Sequence, residues 1–406
     1  MNQMIKKISI HQLQPGMFVH DMDCGWMEHP FLTGSFKVRV DKDIERMVEY
    51  GIHELYIDTD KGLDVPDAPT QREVAVVLTR QMTALFETRQ PVEPTSLHDE
   101  MGRARVVLSE ANRIIGEVMH GARLGRQIEQ EKVDHVVSEM SESVLRNKDA
   151  LLSLCRIKEK DNYTFLHSVS VGVLLMSFSR TFNLKNEDMQ LLGTGGMLHD
   201  IGKTRVPDRI LNKTGALTPD EFSTIQRHVV YGQNILAEMP NISQTSYEVV
   251  AQHHERYDGS GYPLKLKGAD MSIYGQMASI VDVYDAITSD RCYRKGMDPT
   301  VALRKMFEWS KFHFDPVLIQ TFVRTIGIYP VGTLVMLESR KIAVVIDQQG
   351  RDLTRPLVLV VFDALKHCHL TPQDVDLSKP LGHGGGDKIV SHESAEQWRI
   401  DPYQYI

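Results

Sequence analysis

Cysteine, excess positive charge and long apolar runs are all scarce in this 406-residue sequence. Its 4 cysteines are too scattered for a zinc finger or a disulfide framework, which suits a reducing compartment. The 46 Lys and Arg are outnumbered by 54 Asp and Glu, and a net charge of −8 argues against a protein that coats DNA or RNA. No stretch approaches the ~18–20 apolar residues of a membrane span. We therefore expect a cytoplasmic protein that binds neither DNA nor membranes.

The hydrophobic pattern divides the chain into four segments. Residues 1–65 resemble a small mixed α/β module, in which Phe36–Val40 alternates like a half-buried strand. Residues 66–150 combine a proline-bracketed linker with long connecting helices. Residues 151–328 have a helical pattern, and residues 329–406 contain short runs typical of a β-rich appendage. The predicted fold class is mainly α, with a central helical bundle between two small domains.

An apolar stripe marks the connecting helices. Ile114 and Val118, and then Val133 and Val137, follow one another at four-residue steps. Ordinary helical core explains this stripe better than a dimerising coiled coil, because two glycines interrupt it. A homodimer through these helices stays open as the alternative. The N-terminal module is interpreted as a packing or regulatory domain that could dock a signalling partner.

The chain has 17 histidines, and those between residues 140 and 312 all belong to one pattern with two aspartates. In the pair His199 and Asp200, the imidazole can bind one ion while the carboxylate bridges to a second. Imidazoles and carboxylates without thiolates suit divalent transition metals, Fe or Mn first, with Ni, Co or Zn as alternatives. Seven residues form this candidate site for two metals: His167, His199, Asp200, His228, His253, His254 and Asp282.

The flanking residues suit a phosphate-containing substrate. Two ions ~3.5–4 Å apart share a water that becomes hydroxide near neutral pH, and this hydroxide is the expected nucleophile. Lys203 follows Asp200 by one helical turn, so its ammonium can reach an oxygen held by the metals. Arg291 and Arg294 are three residues apart, on one face if helical, where both could hold phosphate oxygens. The residues thus indicate metal-assisted hydrolysis of a phosphate ester.

Three longer strings around these residues resemble the HD-GYP branch of the HD-domain phosphohydrolases. They are HDIGK at His199–Lys203, HHERYDGSGYP at His253–Pro263 and DVYDAITSDR at Asp282–Arg291. A His-Asp pair alone is common, but the two longer strings are specific. The resemblance covers about residues 150–325. In addition, the turn at Gln14–Met17 resembles that of an uncharacterised domain often found before HD-GYP domains in bacterial proteins.

The resemblance implies an HD-type helical bundle that hydrolyses bacterial cyclic dinucleotides, chiefly cyclic di-GMP, to linear pGpG. Hydrolysis of 3′,3′-cyclic GMP-AMP is the alternative, because motif residues hold phosphate and metal and do not read the base. A catalytically weak signalling scaffold is a second alternative, which the filled ligand positions disfavour.

The resemblance also assigns a role to each residue. Asp200 would bridge the metals, Asp200 and Lys203 would be catalytic, and Tyr262 would line the guanine side of the pocket. From its position three residues after Asp282, Asp285 either orients a ligand or Lys203, or is a plain helix-surface residue. The first metal would be held by His167, His199, Asp200 and Asp282, the second by His228 and His253 with His254 beside them, and substrate phosphate by Lys203, Arg291 and Arg294.

One position departs from the family pattern. Some members have a glutamate one helical turn before the first histidine, where it recruits a third metal, and here that position is Tyr163. Glu159 and Asp161 are too far from His167 along a continuous helix to replace it. We therefore expect two metals, and further hydrolysis of pGpG to GMP becomes doubtful.

Overall fold

The computed structural model describes residues 5–23, 35–84, 95–156, 163–213, 215–289, 296–348, 352–380 and 385–406. Most of these residues are helical, with one sheet near the N-terminus and another near the C-terminus, which confirms the predicted fold class. Within these ranges no helix is both long enough and apolar enough to cross a membrane.

The N-terminal module is a four-stranded antiparallel sheet that packs against one helix. Helix α1 (Asp41–Glu49) ends at Tyr50, and Gly51 makes the left-handed turn with a φ of +72°. The predicted strand over 36–40 is shorter than expected: the strand covers Phe36 and Lys37, and Val38 adds backbone hydrogen bonds to Gly16 and Met17 at 2.9 Å each. In the order β1-β4-β2-β3, the strands are β1 (Ile5–Ser9), β4 (Glu54–Asp58), β2 (Phe18–Asp21) and β3 (Phe36–Lys37).

Three long helices connect this module to the centre of the chain: α2 (Gln71–Ala84), α3 (Leu97–Arg123) and α4 (Gln130–Arg156). Helices α3 and α4 form a hairpin, and the backbone of α4 leaves the helical conformation at Asn147. The apolar stripe of these helices is buried in one core with residues of α5 and α6, so the stripe stabilises the fold of the single chain. A homodimer through the connector stays a prediction.

The central bundle contains the helices that position the candidate site. Several begin with strong signals: Thr218 and Glu221 form a capping box, and Asp298 and Asp315 each cap a helix whose first residue is proline. Apolar residues of α5, α11, α12 and α13 share one core. The helices are α5 (Tyr163–Thr181), α6 (Asn186–Leu198), α7 (Asp208–Leu211), α8 (Pro219–Gln226), α9 (His228–Ala237), α10 (Gln244–Gln252), α11 (Ile273–Thr288), α12 (Pro299–Trp309) and α13 (Pro316–Ile326).

The C-terminal appendage is a five-stranded antiparallel sheet followed by a short helix, α14 (Ala395–Trp398). The pattern predicted its three apolar strands, whereas the two edge strands were not predicted. In the order β8-β7-β6-β5-β9, the strands are β8 (Cys368–Asp376), β7 (Leu357–Asp363), β6 (Lys341–Asp347), β5 (Leu334–Leu337) and β9 (Ile389–His392).

The N-terminal sheet docks on helix α12 through buried charges. The ammonium of Lys7 contacts the carboxylate of Glu308, and the two side chains are only 8% and 4% exposed. The hydroxyl of Tyr56 donates to both oxygens of Glu308 at 2.9 and 3.0 Å. A second pair joins Lys305 to Asp21. These contacts fix the module against the bundle.

Candidate metal centre

The candidate ligands lie where several helices of the bundle meet. His167 and Asp282 lie within α5 and α11, whereas the histidines of the other three helices lie at helix ends. His199 directly follows α6, His228 begins α9, and His253 directly follows α10. Helix ends bring side chains from distant segments to one point without interrupting the helices.

The ligand atoms of these residues converge. Three overlapping groups have atoms that all lie within 4.8 Å of one another. Because His199 and His253 each belong to two groups, the three groups form one cluster. The groups are His167, His199 and Asp282; His199, Asp200 and His253; and His228, His253 and His254.

Backbone carbonyls set the tautomer of three histidines. The Nδ1 atoms of His199, His228 and His253 lie 2.7, 2.7 and 2.9 Å from the carbonyl oxygen three residues earlier. A carbonyl only accepts, so each Nδ1 carries the proton and each Nε2 presents a lone pair to the centre. This is the arrangement expected of histidine metal ligands.

Polar atoms left without partners indicate that a cation fits here. In the described part of the chain, His199 Nε2 and Asp200 Oδ1 are buried without a hydrogen-bond partner. The Nε2 atoms of His228 and His253 are 3.2 Å apart. Both atoms carry lone pairs, so they repel unless a cation lies beside them. The donor set of imidazoles and carboxylates therefore fits divalent transition metals.

Asp285 contacts His167 directly. Its Oδ2 atom accepts from His167 Nδ1 at 2.7 Å, and His167 Nε2 lies 3.2 Å from Asp282 Oδ1. Ser289 donates to the same Asp285 oxygen at 3.0 Å. Asp285 is buried, so it does not lie on an exposed helix surface. Of the two orienting roles considered from the sequence, the geometry supports the one that involves a metal ligand.

Burial and neighbouring charges shift the pKa values of the histidines in the cluster in opposite directions. Burial lowers the pKa of His228 to about 4 and that of His253 to about 3, so both imidazoles are neutral at pH 7, the form that binds a metal. Burial also lowers the pKa of His167, but hydrogen bonds to Asp282 and Asp285 outweigh it and raise the value to about 9.

The segment after Asp200 is a 3₁₀-helix, Ile201–Arg205, that packs closely on α9. A Cβ atom at Gly202 would overlap the carbonyl oxygen of His228, so only glycine fits there. Lys203 Nζ lies 2.6 Å from Asp200 Oδ2. Burial raises the pKa of the Asp200 carboxyl, but His199 and Lys203 hold it well below its usual value. Lys203 thus stabilises the ionised carboxylate.

The loop after His254 places Tyr262 beside the centre. The Tyr262 ring lies 4.7 Å from the His254 ring at 30°, and its N–H donates to the His254 carbonyl at 3.0 Å. The buried carboxylate of Glu255 accepts from the N–H groups of Leu264 and Leu266 at 2.7 and 3.0 Å. Glu255 therefore holds the loop closed around the aromatic residue.

A cleft of about 390 Å³ reaches the centre along this loop. Its lining includes Arg227 and Lys265, two cations that sequence reasoning missed. Arg227 directly precedes His228, a signal that could have identified it, whereas nothing local distinguishes Lys265. The predicted phosphate ligands Arg291 and Arg294 lie outside the described residues.

The expectation of two metals also depends on residues that the structure does not describe. Tyr163 begins α5, while Glu159 and Asp161 lie outside the described residues. The number of metals therefore stays a prediction.

A helical bundle that brings a His-Asp pair together with distant histidines and an aspartate defines an HD-domain metal-dependent phosphohydrolase. The HD domain profile matches residues 144–318, and a profile described as a domain of unknown function matches residues 5–133. The bundle and the N-terminal region thus match different families.

Comparison with known relatives shows to which family within this class the chain belongs. A cyclic di-GMP phosphodiesterase of Pseudomonas aeruginosa is 40% identical over 402 residues, covering 98% of this chain and 94% of the relative. A Vibrio cholerae protein named as a 3′3′-cGAMP-specific phosphodiesterase is 32% identical over 165 residues, covering 40% of this chain and 32% of the relative. The chain belongs to the HD-GYP family of cyclic-dinucleotide phosphodiesterases, which confirms the resemblance.

Proposed function

We propose that the chain hydrolyses cyclic di-GMP to linear pGpG and so lowers second-messenger signalling. The observation that supports this most is the similarity, at 40% identity over almost the whole chain, to a protein named for that activity. The signalling scaffold is disfavoured, because all seven ligand positions hold metal-binding residue types and their atoms converge.

Two divalent transition metals fit the proposed site, Fe or Mn first, with Ni, Co or Zn as alternatives. When bound, such ions polarise a phosphoryl oxygen and lower the pKa of the attacking water. Asp200 would bridge them, because its carboxylate lies within 4.8 Å of the ligand atoms of both His199, proposed for one ion, and His253, proposed for the other. One ion would be held by His167, His199 and Asp282, and the other by His228, His253 and His254.

The chain's own residues would bind the substrate and stabilise charge. Lys203, beside Asp200, adds positive charge where negative charge grows on the phosphoryl oxygens. Tyr262 would line the base side of the pocket, and Arg227 and Lys265 would hold phosphate oxygens together with the predicted Arg291 and Arg294. Hydrolysis breaks the bond between phosphorus and the 3′-oxygen and leaves a 5′-phosphate on the linear product.

A second candidate substrate is 3′,3′-cyclic GMP-AMP. Proteins named for that substrate align with part of this chain, at 30–35% identity. Groups that hold metal and phosphate do not distinguish the two substrates, because those parts are common to both. Conversion of pGpG to GMP is not expected, since Tyr163 replaces the carboxylate of members with a third metal.

The test incubates purified, metal-analysed protein with each cyclic dinucleotide and separates the products by chromatography. We expect two metals per chain and accumulation of pGpG. Asp200→Ala should lose bound metal and lower turnover by more than the roughly 10- to 100-fold typical of an outer-shell change. Asp220→Ala, at an exposed position in α8, is the matched control. Undiminished turnover in Asp200→Ala would refute the mechanism, and three metals per chain would refute the metal count.

A further inference from the structure

The N-terminal module contributes to the wall of the cleft that leads to the metal centre. The lining of the cleft extends from His253 and Tyr262 to Phe222 of α8 and to Tyr50, the residue that ends α1. The N-terminal module and the central bundle therefore both contribute to the wall of the cleft. Its volume of about 390 Å³ falls in the range of small-molecule sites.

Contacts with the loop of the central domain hold Tyr50 in place. The carbonyl oxygen of Tyr50 accepts from Arg256 Nη1 at 3.3 Å. A Cβ atom at the next residue, Gly51, would come within 2.8 Å of Ser260 Cβ, so the module's backbone lies directly on the loop. That loop also carries Tyr262. The two tyrosines are therefore positioned by one and the same segment.

A second set of contacts fixes the same corner of the module. His53 Nε2 lies 3.0 Å from Asp258 Oδ2, and its ring stacks on Phe312 with centroids 4.3 Å apart at 25°. The carbonyl oxygen of Gly51 lies 3.4 Å from His313 Nε2. With contacts on both sides, little conformational freedom remains to be lost when a ligand binds beside Tyr50.

The chemistry of this end of the cleft suits a nucleotide. The rings of Tyr50 and Phe222 meet edge to face, with centroids 6.5 Å apart at 77°. Tyr50 is half-buried, so it keeps accessible surface in the cleft that it lines. The cations Arg227 and Lys265 line the same cleft and suit phosphate. Aromatic side chains stack on the π-face of any base, and nearby cations bind the backbone.

We propose that Tyr50 stacks on a purine base of the bound dinucleotide, which makes the N-terminal module part of the substrate site. A cyclic dinucleotide with one phosphate at the metal centre has its bases on either side of that phosphate, and the cleft offers an aromatic surface for one of them. The identity of the dinucleotide rests on the proposed function.

The test measures kcat and KM for cyclic di-GMP in full-length, metal-loaded variants. Tyr50→Ala should raise KM about tenfold, in line with the loss of one base-stacking contact, with metal content and kcat nearly unchanged. Tyr50→Phe keeps the ring and should stay within about twofold of the wild type. Val48→Ala, at a 50% exposed position on the same helix, is the control for changes in the module.

An unchanged KM in Tyr50→Ala, or an equal loss in Tyr50→Phe, would overturn the stacking role. Isothermal titration of cyclic di-GMP into EDTA-treated protein separates this inference from the proposed function, because no turnover is needed. If the metal-loaded wild type does not hydrolyse cyclic di-GMP, the proposed function fails, while weaker binding by EDTA-treated Tyr50→Ala than by EDTA-treated wild type still supports the stacking role. Equal affinity of the two proteins, or absence of binding, overturns it.

Discussion

Three histidines of the metal centre also satisfy backbone groups at helix ends. The last carbonyls of a helix have no N–H partner within it. The side chains of His199, His228 and His253 donate to carbonyls in the last turns of α6, α8 and α10. Each residue therefore caps a helix with one ring nitrogen and presents the other to the metal site. The helix ends and the ligand geometry depend on the same hydrogen bonds.

The contact between Asp285 and His167 leads to the first prediction. Asp285→Asn removes the negative charge that orients the imidazole, so metal affinity should fall by about 10- to 100-fold. The measurement is competition with a chelator of known affinity, compared with the exposed-site variant Asp220→Asn. Unchanged affinity in Asp285→Asn would show that this carboxylate does not support the ligand.

At the scale of single residues, the types of ligand residue were predictable from the sequence, because few kinds of side chain suit divalent transition metals. Imidazoles and carboxylates suit divalent first-row metals, and the central segment, residues 151–328, has only one further histidine, His313. Arg227 directly precedes His228, but Lys265 was not predictable in the same way. A surface cation carries no local signal of what it faces, and the fold alone brings Lys265 to the cleft.

Among the elements, the 3₁₀-helix Ile201–Arg205 depends on a close backbone approach to α9. A Cβ atom at Gly202 would lie 2.5 Å from the backbone nitrogen of Gly232, besides overlapping the His228 carbonyl. Backbone atoms cannot move aside as a flexible side chain can. The glycine between Asp200 and Lys203 is therefore required for the contact that places both residues.

Gly202→Ala should destabilise the protein by about 1–3 kcal/mol through overpacking and should lower the metal content. Urea unfolding together with metal analysis measures both effects. Gly215→Ala is the matched control, since a Cβ atom there meets no described atom within 4 Å. Equal behaviour of the two variants would mean that α9 can move away from the glycine without cost.

The edge strands of the C-terminal sheet show where element prediction failed. Strand β8 contains Pro372 and is largely exposed, so it has neither the apolar alternation nor the composition of an inner strand. Proline is tolerated there because an edge strand leaves half of its backbone groups unpaired. The inner strands β6 and β7 carry continuous apolar runs and were predictable.

For the whole molecule, the docking of the N-terminal module depends on a few buried charges. Glu308 receives the Lys7 ammonium and the Tyr56 hydroxyl in one interface. Lys7 also lies 2.9 Å from Asp23 and 2.8 Å from Glu54. Burying these charges is costly, so the network is stable only while each partner remains.

Glu308→Ala should therefore loosen the module. It removes the acceptor of the Tyr56 hydroxyl and one of the carboxylates that offset the buried charge of Lys7. Breaking such a buried pair should lower the free energy of unfolding by about 3 kcal/mol. Hydrogen exchange should show faster opening of β1 and β4 with unchanged protection in α5. Glu238→Ala, an exposed change at the end of α9, is the control. Identical exchange in both variants would count against the interface.

This interface could not be foreseen from the sequence. The central bundle follows from helical periodicity and caps, which act over a few residues. The contact between Tyr56 and Glu308 joins residues that are 252 positions apart. The sequence around either residue gives no indication that it contacts the other. Only the assembled fold shows that the module lies against the cleft.

That separation has a consequence for the order of synthesis. The module has its own apolar core, with Met17, Val19 and Leu55 fully buried, so it can collapse as soon as it leaves the ribosome. Its docking surface on α12 is translated about 250 residues later. The module can therefore fold before its docking surface has been synthesised. The wall of the cleft at Tyr50 is then completed only late in the synthesis of the enzyme.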